Sequence, residues 1–322
     1  MTHPPTSGQP SLTDSLGPYG WDAAWAAEFA TLPGTPARVT RVDRGAVRAV
    51  TPFGTVSATP DIGSGLVTGD WVAVRSDHDD DSNEAVVAAT APRRTALVRR
   101  DPSAEPAPQT LAANMDEVWV VHSAERPLRA GWLDRALVVA YGSDATPLIV
   151  ITKADLARDA ATFIATARTL SPHTAVAATS AVSGDGVDTM ARRLHGGRCA
   201  VLLGRSGSGK SSLVNALADD AAQVTRSVRA GDAKGRHTTT RRALVTVAGG
   251  CVIDTPGIRA LGLWDADVGL QRAFPDIADL ARQCRFNDCR HEREPGCAVQ
   301  QARDQGALSA ERYLRYITLS SE

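Results

Sequence analysis

The segment Gly204-Arg-Ser-Gly-Ser-Gly-Lys-Ser211 has the G-x-x-x-x-G-K-S spacing of a phosphate-binding loop. Glycine lets the backbone curl until successive N–H groups point at phosphate oxygens. Lys210 can then reach the β- and γ-phosphates of a nucleoside triphosphate, and the Ser211 hydroxyl is placed to ligate Mg2+. Gly204, Arg205, Ser206, Gly207, Ser208, Gly209, Lys210, Ser211 and Ser212 are together expected to hold phosphate. The setting agrees. Ala200–Leu203 reads as a buried strand, and Leu213, Val214 and Leu217 fall on one face of a helix whose N-terminus adds positive partial charge.

Two further strand ends carry a message about the base. The run PLIVIT leads into Thr152-Lys153-Ala154-Asp155, and AVAAT leads into Ser180-Ala181. A carboxylate at Asp155 can accept from guanine N1–H and the 2-amino group together, an arrangement adenine does not offer. The stem of Lys153 can lie over the base, and a backbone N–H near Ala181 can donate to guanine O6. Downstream, Asp254-Thr-Pro-Gly257 ends the run Cys251-Val-Ile253. Asp254 can hold Mg2+ through water, and the Gly257 N–H can meet a γ-phosphate. One of Thr238, Thr239 and Thr240 would complete the magnesium shell, the sequence not deciding which. Two loops held by a γ-phosphate and freed on its loss form an order–disorder switch.

A separate chemistry lies near the C-terminus. Cys284, Cys289, His291 and Cys297 give C-x4-C-x-H-x5-C, three thiolates and an imidazole suited to a closed tetrahedral Zn2+ site. With no fourth position open to water, the expected role is structural, the metal substituting for a core in a segment of about 50 residues. Cys199 and Cys251 fall in predicted strands and read as buried thiols.

The 322-residue chain must position these groups, and at that length two or three domains are expected. No apolar run reaches the ~18 residues of a membrane helix, and the N-terminus lacks a signal pattern, so a cytoplasmic protein is expected. Residues 1–34 read as an N-terminal extension, partly disordered, although Trp21, Trp25 and Phe29 could dock one face of a short helix. Residues 35–100 hold four or five short strands, enough for a small oligonucleotide-binding (OB)-like β-barrel; another small β domain competes. Arg93, Arg94, Arg99 and Arg100 at its end suit a phosphate backbone or a solvated linker. From Met115 strands and helices alternate, one helix with Leu156, Phe163 and Leu170 on a face, predicting a parallel-dominated sheet with helices on both faces over residues 101–265, its ligands at the strands' carboxyl ends. Residues 266–322 read as a small α-helical zinc-binding domain, with a last helix from Ser309 to Ile317. The net charge of −1 conceals an acidic run (Asp77, Asp79, Asp80, Asp81, Glu84) and a basic one (Arg226, Arg229, Lys234, Arg236, Arg241, Arg242). Seven arginines between Arg282 and Arg315 make RNA a plausible partner of the last module.

The base-reading pieces precede the phosphate-binding pieces, the reverse of an ordinary small GTPase. Through LAANMDEV, TKAD, TSA, GRSGSGKSSL, GRHTTT, DTPGIR and the cysteine cluster, the chain resembles the bacterial ribosome small-subunit-dependent GTPase family, RsgA, from roughly Ala37 to Ile317. The resemblance implies a circularly permuted GTPase between a barrel and a zinc module. It implies a monomer that binds the small ribosomal subunit and its rRNA during late assembly, with hydrolysis stimulated by the subunit and coupled to release. Thr152 departs from the family's commoner Asn, which puts one base contact in doubt. Ile258 stands where many small GTPases carry a water-orienting Gln. The resemblance moves that role to His237 in the first switch loop. A GTP-regulated RNA-binding module with incidental hydrolysis is the alternative, and a phosphate-loop kinase is disfavoured by TKAD and DTPG together.

Overall fold

A computed structural model describes residues 11–60, 65–76, 85–102, 107–157, 160–224, 242–247, 249–258 and 261–322. Within residues 11–34 stand two short helices, α1 (Leu12–Leu16) and α2 (Ala23–Phe29), and Trp21, Trp25 and Phe29 dock as their spacing allowed. Asp22 caps α2 by accepting from the Trp25 amide at 2.7 Å. Aromatic burial supplies the order: Trp21, Trp25 and Phe29 stand with ring centroids 5.2, 5.7 and 6.3 Å from that of Trp71. Residues 1–10 lie outside the described residues, as does the acidic run from Asp77 to Glu84.

The strands β1 (Thr35–Asp43), β2 (Ala46–Thr51), β3 (Gly54–Thr59), β4 (Trp71–Ser76) and β5 (Ala85–Thr90) close into a barrel in the order β1-β2-β3-β5-β4. Alternation puts Ala37 and Val39, Val47 and Ala49, and Val72 and Val74 inside it. The next pair, β6 (Ala96–Arg100) and β7 (Pro108–Ala113), forms a separate hairpin whose Leu97 and Leu111 join the core of the following layer. Arg93 and Arg94 are exposed, and both are held in ion pairs. Arg93 donates to both carboxylate oxygens of Asp70 at 2.7 and 2.8 Å, and Arg94 pairs with Asp22 while lying 3.7 Å above the Trp25 ring. These arginines fasten the N-terminal arm and barrel together.

The central sheet holds β8 (Glu117–Ser123), β9 (Thr146–Thr152), β10 (Ala175–Ala178), β11 (Cys199–Gly204), β12 (Ala243–Val247) and β13 (Gly250–Asp254) in the order β10-β9-β8-β11-β13-β12. All neighbours are parallel except β12 and β13. Successive residues serve opposite faces. Val118 and Val120 of β8 with Val201 and Leu203 of β11 meet α3 (Ala130–Tyr141) and α4 (Ala160–Leu170). Trp119, Val121, Ala200 and Leu202 meet α5 (Val187–Leu194) and α6 (Lys210–Val224). The strand order explains the late phosphate loop. The central strand β11 would lead an unpermuted chain, and here the link from β13 to β8 is cut. The chain enters β8 from the β6–β7 hairpin and leaves β13 toward the C-terminal helices.

Those helices are α7 (Asp267–Ala273), α8 (Pro275–Ala281), α9 (Ala298–Asp304) and α10 (Ala310–Ser320). Phe274, Ile277, Val299, Leu308 and Tyr313 are buried and continuous with the α3 face of the sheet. The metal cluster thus stands beside a core and does not replace one. Arg315 of α10 holds both carboxylate oxygens of Asp134 on α3, and Arg312 holds those of Asp276 on α8. Two of the seven arginines expected to face RNA are therefore internal fasteners, whereas Arg285, Arg290 and Arg293 are exposed around the metal loop.

Candidate nucleotide-binding site and metal centre

Because β8, β9, β10, β11 and β13 run parallel, their carboxyl ends deliver five loops to one rim. The phosphate loop follows β11, whose six residues are all buried. Lys210 opens α6, and its Nζ donates to the carbonyls of Gly204 at 2.9 Å and Arg205 at 3.3 Å. Burial pushes the Lys210 amine below its ordinary range, and the nearby Asp254 carboxylate counteracts this. A phosphate arriving over the loop would restore the preference for the cation. Gly209 has φ +87°, and a Cβ there would stand 2.8 Å from the Thr152 hydroxyl oxygen, so both backbone shape and space demand glycine.

The second switch segment closes over the loop. A Cβ on Gly257 would meet the Ser206 backbone N and Cα at 2.6 Å, and the Ile258 N–H donates to Gly204 O at 3.0 Å. Thr255 is 1% exposed and donates its hydroxyl to Leu202 O. Ser206–Ser212 and Thr255–Gly257 enclose a cavity of about 180 Å3. At its edge Ser211 Oγ donates to Asp254 Oδ2 at 3.0 Å. The two residues expected to serve Mg2+ are thus adjacent, and both offer the hard oxygen donors that ion takes.

A second cavity of about 170 Å3 adjoins the first, lined by Thr152, Lys153, Asp155, Ala181 and Gly209 among others. The loops after β9 and β10 are bonded to each other. Ala154 N–H donates to Thr179 O at 3.2 Å, and Ser180 Oγ donates to Asp155 Oδ1 while accepting from the amides of Val182 and Ser183. This fixes one Asp155 oxygen and settles the loop around it. Thr152 is 3% exposed and donates its hydroxyl to Ser208 O of the phosphate loop at 2.6 Å, with His122 O 3.2 Å away. In place of Asn, threonine therefore ties the base-side strand to the phosphate loop. Lys153 adopts φ +55° and pairs through Nζ with Glu125. That pairing, with a hydrogen bond from Ser123, holds the Glu125 carboxyl below its usual range.

Glu125, Leu156 and Val182 also belong to this rim, though no motif marks them. Glu125 lies in the turn after β8, a strand end on the same rim, which is the signal that could have found it. Leu156, predicted on a helix face, lies instead in a 3-10 turn and is 59% exposed, and Val182 is 88% exposed; both line the base-side cavity. Exposed apolar side chains there suit the faces of a planar ring. His237, Thr238, Thr239, Thr240 and the basic segment from Arg226 to Arg241 lie outside the described residues.

At the C-terminus, one donor atom from each of Cys284, Cys289, His291 and Cys297 falls within 4.8 Å of the others. His291 Nδ1 stands 3.5 Å from Cys284 Sγ and 3.4 Å from Cys297 Sγ, and those sulfurs are 3.9 Å apart. A tetrahedron with Zn–S of about 2.3 Å and Zn–N of about 2.0 Å has edges of this size. The set fits zinc. Burial, then the neighbouring Cys297 and Cys284 thiols, pushes the Cys289 thiol up to about 12. His291 takes φ +64°, and Tyr313 donates its hydroxyl to His291 O at 2.7 Å, pinning that strained backbone to α10.

Comparison with known proteins follows the same divisions. The profile of the RsgA GTPase family matches residues 90–264. The small ribosomal subunit biogenesis GTPase RsgA of Streptomyces coelicolor is 45% identical over 321 residues, covering 96% of this chain and 86% of that protein. The protein so named in Opitutus terrae is 39% identical over 329 residues, covering 96% and 89%. The crystal structure of YjeQ from Thermotoga maritima superposes with a TM-score of 0.63 at 24% identity, covering 88% of this chain and 96% of that one, a likeness of fold. YloQ, described as a circularly permuted GTPase, gives 0.63 at 25% identity, covering 89% and 94%. With relatives aligned over nearly its whole length and a family profile across more than half of it, the chain belongs to the RsgA GTPase family of circularly permuted GTP-hydrolysing enzymes.

Proposed function

We propose that this chain hydrolyses GTP as a late-stage assembly factor of the small ribosomal subunit, with turnover stimulated by the subunit and coupled to release. The observation that carries the reading is the shared rim, where the phosphate loop, Asp254–Gly257, Asp155 and Ala181 meet although the chain supplies them in permuted order. Asp155 selects guanine, with Thr152, Lys153, Ala154, Ser180 and Ala181 completing the base side. Residues Gly204–Ser212 and Gly257 hold the phosphates, and Lys210 neutralises charge that grows there during transfer. Ser211 and Asp254 would hold Mg2+, which would supply positive charge against the phosphates. His237 orients the attacking water once the subunit orders its loop. Cys284, Cys289, His291 and Cys297 would hold a structural Zn2+ that keeps the last module in shape. Small-subunit rRNA is the partner, met by the barrel and by Arg285, Arg290 and Arg293; the protein works as a monomer in the cytoplasm.

Small subunits mixed with the protein and either GDP or a non-hydrolysable GTP analogue test the cycle. Tighter binding with the analogue is expected, and equal binding with both would remove the coupling to release. A competition between GDP and ADP tests the base: displacement by GDP alone is expected, and equal displacement would return the chain to the kinase class.

A further inference from the structure

The outer wall of the phosphate loop carries a third cavity, of about 290 Å3, which shares Arg205, Gly207 and Ser208 with that loop and otherwise has no role assigned above. Its apolar surfaces come from Val121 at the end of β8, Pro127 in the following turn and Trp132 on the first turn of α3. Its charged members are Arg126, Arg129 and Arg205, all exposed. Among the described residues none of the three forms a salt bridge, although Arg126 stands near enough to the Glu125 carboxylate to help hold its pKa down; Arg193, Arg198, Arg312 and Arg315, by contrast, are all salt-bridged. The turn that presents Arg126 is firmly built. Arg126 N–H donates to Ser123 O at 3.2 Å, Glu125 N–H donates to Ser123 Oγ, and His122 Nε2–H donates to Arg126 O at 2.9 Å. Arg126 Nη2 comes within 3.8 Å of the space a Cβ on Gly207 would occupy, so the cavity and the phosphate loop share a wall.

An indole, an apolar floor and three unpaired guanidinium groups suit a planar ring joined to a phosphate. A single unstacked nucleotide matches the size. An acidic peptide would satisfy the arginines but would leave the indole and floor without a flat partner. We propose that this cavity binds one unstacked nucleotide of a single-stranded RNA segment, its base against Trp132 and its phosphate among Arg126, Arg129 and Arg205. The inference rests on the RNA-partner reading above. It also gives RNA a direct handle on GTP chemistry, because Arg205 belongs to the phosphate loop and Arg126 touches its outer face. A phosphate seated between them would draw the loop's outer wall into one position.

The test uses the full chain loaded with GDP and a single-stranded RNA of about ten nucleotides carrying 4-thiouridine. Photocrosslinks are expected on the peptide containing Pro127 and Trp132. By anisotropy, Trp132→Leu should weaken RNA binding roughly 5- to 150-fold, and Trp132→Phe should recover most of it. Arg129→Gln should lower the slope of log affinity against log salt by about 0.7. GDP affinity of these variants should match wild type. No crosslink to this peptide, an RNA affinity indifferent to Trp132→Leu, or Trp132-dependent capture of an acidic peptide in place of RNA would overturn the proposal. A wild-type chain that binds this RNA through the cavity yet fails to bind GDP would leave the cavity standing and remove the GTP reading instead.

Discussion

Substituting Gly257 by alanine probes the contact between the two phosphate-binding segments. The added Cβ would stand 2.6 Å from both the N and Cα of Ser206, and backbone atoms cannot swing aside. Ordinary contact begins near 3.4 Å, so the segments must separate by about 0.8 Å. The backbone angle at Gly257 is not in the left-handed region, so alanine adds no conformational strain of its own. The separation would stretch the bond from Ile258 N–H to Gly204 O, now 3.0 Å, past useful length. Losing that bond costs about 0.5–1.5 kcal/mol. Withdrawing the Gly257 N–H from a γ-phosphate adds a loss of the kind seen when a transition-state donor is removed, about 2.7–4 kcal/mol. GTP turnover under single-turnover conditions should therefore fall at least about 100-fold. GDP lacks the γ-phosphate, so its affinity by calorimetry should change only a few-fold. Wild-type turnover in Gly257→Ala, or GDP binding lost in parallel with turnover, would refute the reasoning.

Thr152→Val keeps shape and removes the hydroxyl that satisfies Ser208 O; an unsatisfied buried carbonyl costs about 1–3 kcal/mol, so GDP should bind roughly 5- to 150-fold more weakly. Unchanged GDP binding would show that threonine merely fills space. Metal analysis should find one zinc per chain, and its chelation should speed hydrogen exchange in α9 and α10 before the central sheet; exchange indifferent to chelation would contradict a structural role. Burial raises the Asp276 carboxyl, but the Arg312 ion pair and first-turn amides of α8 outweigh it and leave it depressed. Its stabilisation is then present above the ordinary carboxylate range and lost as pH falls through the depressed value. Wild type should resist urea better than Asp276→Asn at neutral pH, and the gap should close below about pH 4. A gap that persists at lower pH would mean the pair is not the source.

Much of the rim is legible in the sequence because each motif sits where an apolar strand ends, and a parallel sheet turns that regularity into one surface. The order of TKAD before GRSGSGKS reads as permutation, and the strand order around β11 agrees. What escapes is what depends on contacts distant in the chain. Trp21, Trp25 and Phe29 lie in a segment with the composition of a loose tail, and only Trp71, some fifty residues later, gives them a place to pack. Arg93 and Arg94 have the charge of an RNA contact, but their carboxylate partners Asp70 and Asp22 stand on elements whose docking no local pattern reveals. Thr152 looks like the loss of a base contact until the phosphate-loop carbonyl it bonds is seen, 56 residues away. Leu156 reads as one position of a helix stripe, because nothing local tells a 3-10 turn at a ligand cavity from the first turn of a helix.

Most direct for the central claim is the steady-state rate of phosphate release from GTP by the full chain, with and without purified small ribosomal subunits. Slow intrinsic turnover that rises severalfold or more with subunits is expected, with that rise lost in His237→Ala. A rate unmoved by subunits, in a protein that binds GTP and subunits normally, would contradict that claim.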